Sequence, residues 1–258
     1  KVKKNGWPAW RERCRDWKSR YPVVLPEHRD QKENVSTYAF SEVLSEELSG
    51  DDVIMPGCSG NAVEIFFLVF KTKPGQRVFH ARGLGAMGFS LPAAIGGCLA
   101  SGRKRTISVD GDGGFQLNIQ ELETLTRLKL PVKFFVINNR GYASIRASQT
   151  NYFGRLVAAD ATSGMTLPPT VEVARAYGLA TARIGDQTDL RAQIKRVLET
   201  PGPVVCEVMA TPDEVRAPRL ASMQRPDGSI VSKPLEDLWP FLDRKEFLSN
   251  MLIPPLDE

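Results

Sequence analysis

Residues 106–114 read TISVDGDGG, and residues 132–141 read VKFFVINNRG. Each stretch is an apolar run that ends in polar residues and glycine, which predicts a buried strand followed by a loop. Residues 116–129 between them carry leucines at helical spacing, so the unit reads strand, helix, strand. A helical crossover makes the two strands parallel, and we expect them to be neighbours in the sheet. Both loops then lie at the carboxyl edge of the sheet, where ligands bind in folds of this kind.

The same alternation extends in both directions along the chain. We predict further strands over residues 52–55 and 204–208. The predicted helices cover residues 36–50, 62–70, 87–100, 170–177 and 189–199. Strands alternating with helices predict an α/β fold, a doubly wound parallel sheet with helices on both faces. We assign residues 36–211 to this domain, residues 1–35 to a lead-in of one linker helix and a loop, and residues 212–258 to a tail that wraps the domain.

Composition narrows the class of protein. The 258 residues are 42% hydrophobic and 25% charged with a net charge of +4, which is typical of a folded globular chain. The longest apolar run, residues 62–70, contains Glu64 and is far too short for a membrane span. We interpret the basic residues near the amino terminus as a solvated linker helix, and expect neither nucleic acid nor a membrane as partner. The four cysteines are widely spaced, which favours reduced thiols and a cytoplasmic location.

The two central loops carry the donors of a hard cation. Asp112 stands between glycines, Asn139 supplies an amide oxygen, and Gly141 can turn its main-chain carbonyl inward. Such oxygen donors suit Mg²⁺ or Ca²⁺ rather than zinc. Mg²⁺ usually binds phosphate oxygens as well, so the pattern predicts a phosphorylated ligand, whose charge the amides of Gly113 and Gly114 could meet. Either loop alone is compatible with an ordinary turn, whereas the pair is more specific.

The pattern Gly111-Asp112-Gly113 followed by Asn138-Asn139 resembles the signature of thiamine diphosphate enzymes. Residues 83–96, GLGAMGFSLPAAIG, and residues 114–122, GFQLNIQEL, resemble the acetolactate synthase and pyruvate oxidase branch of that family. The resemblance extends from about residue 36 to residue 208. It implies the thiamine diphosphate-binding fold, thiamine diphosphate and Mg²⁺ as cofactors, and the diphosphate-binding domain as the part of the enzyme present here.

The resemblance also implies roles for individual residues. Asp112 and Asn139 would bind Mg²⁺ through their side chains, and Gly141 through its carbonyl. Met87 would support the bent cofactor from below, and the Gly85 carbonyl would hold the amine of its aminopyrimidine ring. The remaining contacts would reach the diphosphate, and they come from Ser59, Gly60, Asn61, Gly113, Gly114, Ala143 and Ser144. The family often has serine at position 114, so a hydroxyl contact is expected to be missing.

The resemblance places the activating glutamate of the family in a separate pyrimidine-binding domain, so we expect no catalytic residue in this chain. The sequence resembles the C-terminal third of a full-length enzyme, which predicts either a fragment or one subunit of a split enzyme. The expected partner is a pyrimidine-binding domain or subunit, within a homo- or hetero-oligomer.

The expected reaction is decarboxylation of a 2-oxo acid, pyruvate above all, and ligation of the acyl unit to an acceptor carbonyl. SQTNYFG at residues 148–154 and PDGSI at residues 226–230 depart from acetolactate synthases, which leaves the acceptor open. Two alternatives remain: a 2-oxo acid decarboxylase, in which a proton replaces the acceptor, and a non-catalytic cofactor-binding subunit.

Overall fold

The computed structural model describes residues 7–58 and 60–255, so Ser59, one of the predicted diphosphate contacts, lies outside the described residues. Six parallel strands form one sheet in the order β2-β1-β3-β4-β6-β5. The strands are β1 (Val53–Ile54), β2 (Arg77–Val78), β3 (Thr106–Gly111), β4 (Val132–Asn138), β5 (Ala180–Ile184) and β6 (Val204–Met209). The predicted parallel sheet is confirmed, and β3 and β4 are neighbours paired from Thr106 with Val132 to Gly111 with Ile137.

Helices cover both faces of this sheet. One face packs against α3 (Thr37–Glu47), α4 (Asn61–Val69) and α10 (Leu190–Glu199). The other face packs against α5 (Ser90–Ala100), α7 (Leu122–Leu128) and α9 (Thr170–Ala176). Alternate residues of β4 serve the two faces, with Phe135 and Ile137 on the first and Phe134 and Val136 on the second. Burial on both faces explains why this strand is apolar almost throughout.

The order of the strands reverses between β1 and β3, because the chain runs outward from β1 to β2 and then returns to β3. In doubly wound sheets a crevice opens at such a reversal, outside the carboxyl ends of the strands. The loops that follow β1 and β3 border this crevice, and the loop that follows β4 lies beside them. The topology therefore brings the predicted site loops to one edge.

Two predicted helices differ from the structure for an identifiable reason. Helix α5 begins at Ser90 rather than at residue 87, because Gly88 has a left-handed φ of +79°. The predicted helix over 116–129 is a 3₁₀ segment, Gln116–Glu121, followed by α7, with a non-helical φ of −140° at Asn118. The side-chain amide of Asn118 donates to the Gly88 carbonyl at 2.8 Å, so one contact accompanies both departures.

Several elements escape prediction because their sequences lack a strong period. Strand β2 has two residues, and the edge strand β5 is mostly half-exposed and carries Arg183. Two short helices, α6 (Asp112–Phe115) and α8 (Ala143–Phe153), flank the two site loops. Helix α8 is rich in serine, threonine and asparagine, which favour turns when judged locally.

The two ends of the described chain pack together. The lead-in forms α1 (Pro8–Arg20) and the short α2 (Pro26–Arg29), and the tail forms a hairpin of β7 (Ser222–Gln224) and β8 (Ile230–Ser232), then α11 (Arg244–Asn250). Trp17 Nε1 donates to Asn250 Oδ1 at 2.9 Å and Tyr21 Oη donates to Glu246 Oε1 at 2.6 Å. Helix α1 has no fully buried residue. Across the described residues, no helix has the length and apolar character needed to cross a membrane.

Candidate functional site

The structure brings the two predicted site loops together. Asp112 begins α6 directly after β3, Asn139 follows β4, and both residues are buried. Asp112 Oδ1 accepts a hydrogen bond from the Gly113 amide, and Oδ2 accepts one from the Gly141 amide, each at 2.9 Å. The second bond crosses from one loop to the other, so Asp112 is attached to the loop that carries Asn139.

Asn139 has a buried side-chain oxygen with no hydrogen-bond partner. Leaving a buried acceptor unsatisfied costs about 1–3 kcal/mol, so the structure keeps an oxygen in an unfavourable environment, in the loop whose Gly141 amide binds Asp112. An unpartnered amide oxygen and a carboxylate are the donor types that Mg²⁺ prefers. The described residues contain no group of three histidine, cysteine, aspartate or glutamate side chains that could hold a metal by themselves. The donor set therefore fits Mg²⁺ that takes further oxygens from a bound phosphate.

The pKa of Asp112 is raised to about 6. Burial is the main cause, because it disfavours the charged carboxylate, while the Gly141 and Gly113 amides and the charge of Arg146 act in the opposite direction. A buried carboxylate that is costly to ionise is a group that a cation would stabilise.

A second buried carboxylate, Asp110, lies two residues before Asp112, at the end of β3. Its oxygens accept hydrogen bonds from the Ser90 hydroxyl and the Gly111 amide. Burial raises its pKa to about 6. A Cβ at Gly57 or at Gly114 would lie 2.6 Å from its Oδ1, so the glycines allow the loops after β1 and β3 to close around it. Sequence reasoning missed Asp110, although an acidic residue inside an otherwise buried strand is a visible signal.

The glycines of the two loops are held by close packing. A Cβ at Gly113 would come within 2.2 Å of the Tyr142 ring, and one at Gly141 would come within 2.5 Å of the Ala159 carbonyl. Gly141 also has a φ of +126°, and its carbonyl accepts a hydrogen bond from the Ala143 amide at 3.1 Å. Ala143 is half-buried and Ser144 is exposed, in the first turn of α8, next to this loop.

The loop after β1 reaches the same edge. Gly60, with a φ of +90°, precedes α4, and Asn61 is the first residue of that helix. The side-chain amide of Asn61 donates to the Glu214 carbonyl at 2.7 Å, so the structure uses this group to attach the segment that follows β6.

Met87 and Gly85 lie on the loop between β2 and α5. Met87 is 40% exposed and Leu84 is 89% exposed, so this loop presents apolar side chains to solvent. Gly85 has a φ of +64°, and its amide donates to the Ala81 carbonyl. The Asn118 bond to Gly88 attaches the loop, next to Met87, to the 3₁₀ segment after β3.

The buried guanidinium of Arg146 contacts the Asn139 loop from the side of α8. It donates to the carbonyls of Asn139 and Arg140, and sequence reasoning did not identify it. Asn138 supports the same loop from the sheet, since its amide donates to Glu207 and its oxygen accepts from the Arg140 amide. No local pattern distinguishes Arg146 from the other arginines of the chain.

Comparisons with known proteins identify the family of the chain. Residues 57–208, more than half of the chain, match the family model described as "Thiamine pyrophosphate enzyme, C-terminal TPP binding domain". The acetolactate synthase large subunit of Cyanidium caldarium is 29% identical over 85% of this chain and 36% of its own length. Acetolactate synthase 1 of Nicotiana tabacum is 31% identical over 83% of this chain and 32% of its own length. The chain thus spans about a third of the length of these relatives.

A solved structure shares the fold. The thiamine diphosphate-dependent 4-hydroxybenzoylformate decarboxylase of Rhodococcus jostii RHA1 superposes with a TM-score of 0.60 at 21% identity, over 70% of this chain and 33% of that one. The resemblance to the thiamine diphosphate family and the α/β fold it implies are confirmed, whereas the domain limits at residues 35 and 211 and the individual site roles stay predictions. The family model, which matches more than half of the chain, shows that the chain belongs to the thiamine pyrophosphate enzymes and carries their C-terminal TPP-binding domain.

Proposed function

We propose that the chain holds the diphosphate of thiamine diphosphate together with Mg²⁺ at the carboxyl ends of β3 and β4. The observation that carries the proposal is the unpartnered buried oxygen of Asn139, in the loop that Asp112 binds through the Gly141 amide. Asp112, Asn139 and the second lone pair of the Gly141 carbonyl would hold the cation. The cation and the loop amides would balance the negative charge of the diphosphate.

The surrounding residues would orient the cofactor and exclude water. Gly60 and Asn61 follow β1 at the sheet reversal, Gly114 lies within α6, and Ala143 and Ser144 lie in the first turn of α8. Together with Ser59, they would contact the diphosphate. The Gly113 amide already donates to Asp112, so we assign it first to fixing that carboxylate. Met87 and the Gly85 carbonyl would contact the organic part of the cofactor.

We propose further that the chain acts within an acetolactate synthase-like enzyme, which would decarboxylate a 2-oxo acid such as pyruvate and ligate the acyl unit to an acceptor carbonyl. The relatives at 29–31% identity support this reaction type. When bound, thiamine diphosphate supplies the carbanion-stabilising chemistry. The activating glutamate would come from a pyrimidine-binding domain or subunit, in an oligomer that brings the two together.

The binding proposal is tested by titrating the chain with thiamine diphosphate by calorimetry, with Mg²⁺ present and with EDTA. We expect binding that depends on the cation, and competition by inorganic diphosphate, because this domain would hold the diphosphate end. Asp112→Asn keeps the size of the side chain but removes its charge and one of its two acceptor oxygens, so it should abolish the cation dependence while the circular dichroism spectrum stays unchanged. Unchanged cofactor affinity in that variant would contradict the site.

The reaction is tested by giving pyruvate to the chain combined with a pyrimidine-binding domain. Acetolactate or acetoin as product would support ligation. Acetaldehyde alone would favour the decarboxylase alternative, and no turnover with any such partner would favour a non-catalytic cofactor-binding subunit.

A further inference from the structure

Arg146 is a buried arginine whose guanidinium spans three segments of the chain. Its Nη2 donates to the carbonyls of Asn139 at 2.9 Å and Pro212 at 2.7 Å, and its Nη1 donates to the carbonyl of Arg140 at 3.2 Å. Its Nε donates to Asp213 Oδ1 at 3.2 Å and lies 3.9 Å from Asp160 Oδ2. The side chain is 8% exposed, so these contacts form away from most of the solvent. Most of this guanidinium's hydrogen-bonding capacity is thus directed to main-chain carbonyls rather than to a single acidic partner.

Two of those carbonyls belong to the proposed cation-binding loop, residues 139–141. Arg140 and Gly141 both have left-handed backbone conformations, with φ of +63° and +126°. A non-glycine residue is disfavoured in that region, so contacts elsewhere must hold the loop in this shape. Because Arg146 binds the carbonyls of residues 139 and 140, it fixes the two peptide planes that lead to Gly141. The Gly141 amide then faces Asp112 Oδ2 at 2.9 Å.

We propose that Arg146 is a positioning residue for the cation site, which it organises without contacting the cation. The inference rests on the proposed function. Removing Arg146 would free the peptide planes of the loop and break its attachment to residues 212–213, which follow β6. Residues that orient metal ligands in this way typically change metal affinity by about 10–100-fold when they are replaced.

The test compares three variants of the full 258-residue chain. Arg146→Met removes every donor but keeps the length of the side chain, and Arg146→Lys keeps a charge but cannot reach several carbonyls at once. Arg105→Met is the matched control. Arg105 forms a bidentate pair with the buried Asp52, at 2.6 and 2.7 Å, just before β3 at the opposite edge of the sheet. The Arg105→Met variant therefore loses the contacts of another partly buried arginine, at a place far from the loop.

Two measurements are made on each variant. Mn²⁺ affinity in the presence of thiamine diphosphate is followed by electron paramagnetic resonance, and amide hydrogen exchange of Gly141 is followed by NMR without any divalent cation. We expect Arg146→Met to weaken Mn²⁺ binding by about 10–100-fold and to accelerate Gly141 exchange. Arg146→Lys should give a smaller change in the same direction, and Arg105→Met should leave both quantities at their wild-type values.

The outcomes separate this inference from the proposed function. Wild-type Gly141 exchange in both Arg146 variants would overturn the positioning role, and so would an equal loss of Mn²⁺ affinity in Arg105→Met, which would indicate general destabilisation. If the wild-type chain binds no Mn²⁺ with thiamine diphosphate, the proposed function fails. Gly141 exchange, which is measured without cation, then decides separately whether Arg146 orders the loop.

Discussion

The carboxylate of Asp112 accepts a hydrogen bond from the amide of Gly141 at 2.9 Å, and this bond joins the loop after β3 to the loop after β4. The amide can take this position because Gly141 has a φ of +126° and lies against the Ala159 carbonyl. The hydrogen bond that joins the two loops thus depends on glycine at position 141.

Gly141→Ala should therefore destabilise the chain more than a substitution at an uncrowded glycine. A Cβ at this position would lie 2.5 Å from the Ala159 carbonyl, in addition to the strain of the positive φ. Gly154→Ala is the control, because Gly154 also has a positive φ, +62°, but a Cβ added there would meet nothing within 4 Å. We expect a loss of about 1–2 kcal/mol at Gly154, and a larger loss at Gly141, in urea unfolding. Equal losses would show that the contact with Ala159 relaxes without cost.

Asn139→Leu should leave the stability of the cation-free chain unchanged or raise it. The buried oxygen of Asn139 has no partner, and an apolar side chain of similar size removes the cost of about 1–3 kcal/mol that such an acceptor imposes. The same variant should lose cation-dependent binding of thiamine diphosphate. The measurement is urea unfolding in EDTA, followed by calorimetric titration with cofactor and Mg²⁺. A clear loss of stability in EDTA would show that the oxygen has a partner in solution.

Asn118→Leu, unlike Asn139→Leu, should destabilise the chain, because the side-chain amide of Asn118 donates a hydrogen bond. Its donor contacts the Gly88 carbonyl at 2.8 Å and attaches the loop that carries Met87. We expect a loss of about 1 kcal/mol, the usual contribution of such a bond. We also expect faster proteolytic cleavage between residues 79 and 89, detected by mass spectrometry. Cleavage at the wild-type rate would indicate that other contacts hold the loop.

Lys133 should make stability depend on pH above neutrality. The pKa of this buried lysine is lowered from 10.5 to about 8, mainly because burial disfavours the charged ammonium. Between pH 8 and pH 10.5 the unfolded chain retains the proton that the folded chain has lost, so the contribution of Lys133 to stability should rise with pH. The neutral amine still has two hydrogens for the carbonyls of Thr200 and Gly202 that it contacts.

The check is the free energy of unfolding of the wild-type chain minus that of Lys133→Met, at several pH values. This difference should grow from pH 8 to pH 10.5 in favour of the wild type. Lys104→Met, which removes an exposed lysine, is the control for the loss of a surface ammonium, and its difference is subtracted. A constant difference for Lys133 would mean that its ammonium remains charged in the folded chain.

The sequence by itself determined the central strands and the loops that follow them. Strands β3, β4 and β6 are buried on both faces, and each is a short run rich in β-branched or apolar residues that can be recognised without knowledge of its neighbours. The glycines around Asp112 and after Asn139 mark turns through local backbone preference. Parallel strands place their carboxyl ends at one edge, so the proximity of these two loops follows from the order of the elements.

Only the tertiary structure decided what holds those loops in place. The start of α5 after Gly88 and the interruption of the predicted 116–129 helix at Asn118 are accompanied by a single bond between residues 30 positions apart. Ser90 and Asp110 meet only because α5 packs on the sheet, and Arg146 is recognisable only once the carbonyls of residues 139, 140 and 212 lie around it. Periodicity and turn chemistry are properties of a few consecutive residues, whereas the burial and the partners of a charged side chain depend on segments that meet after the chain has folded.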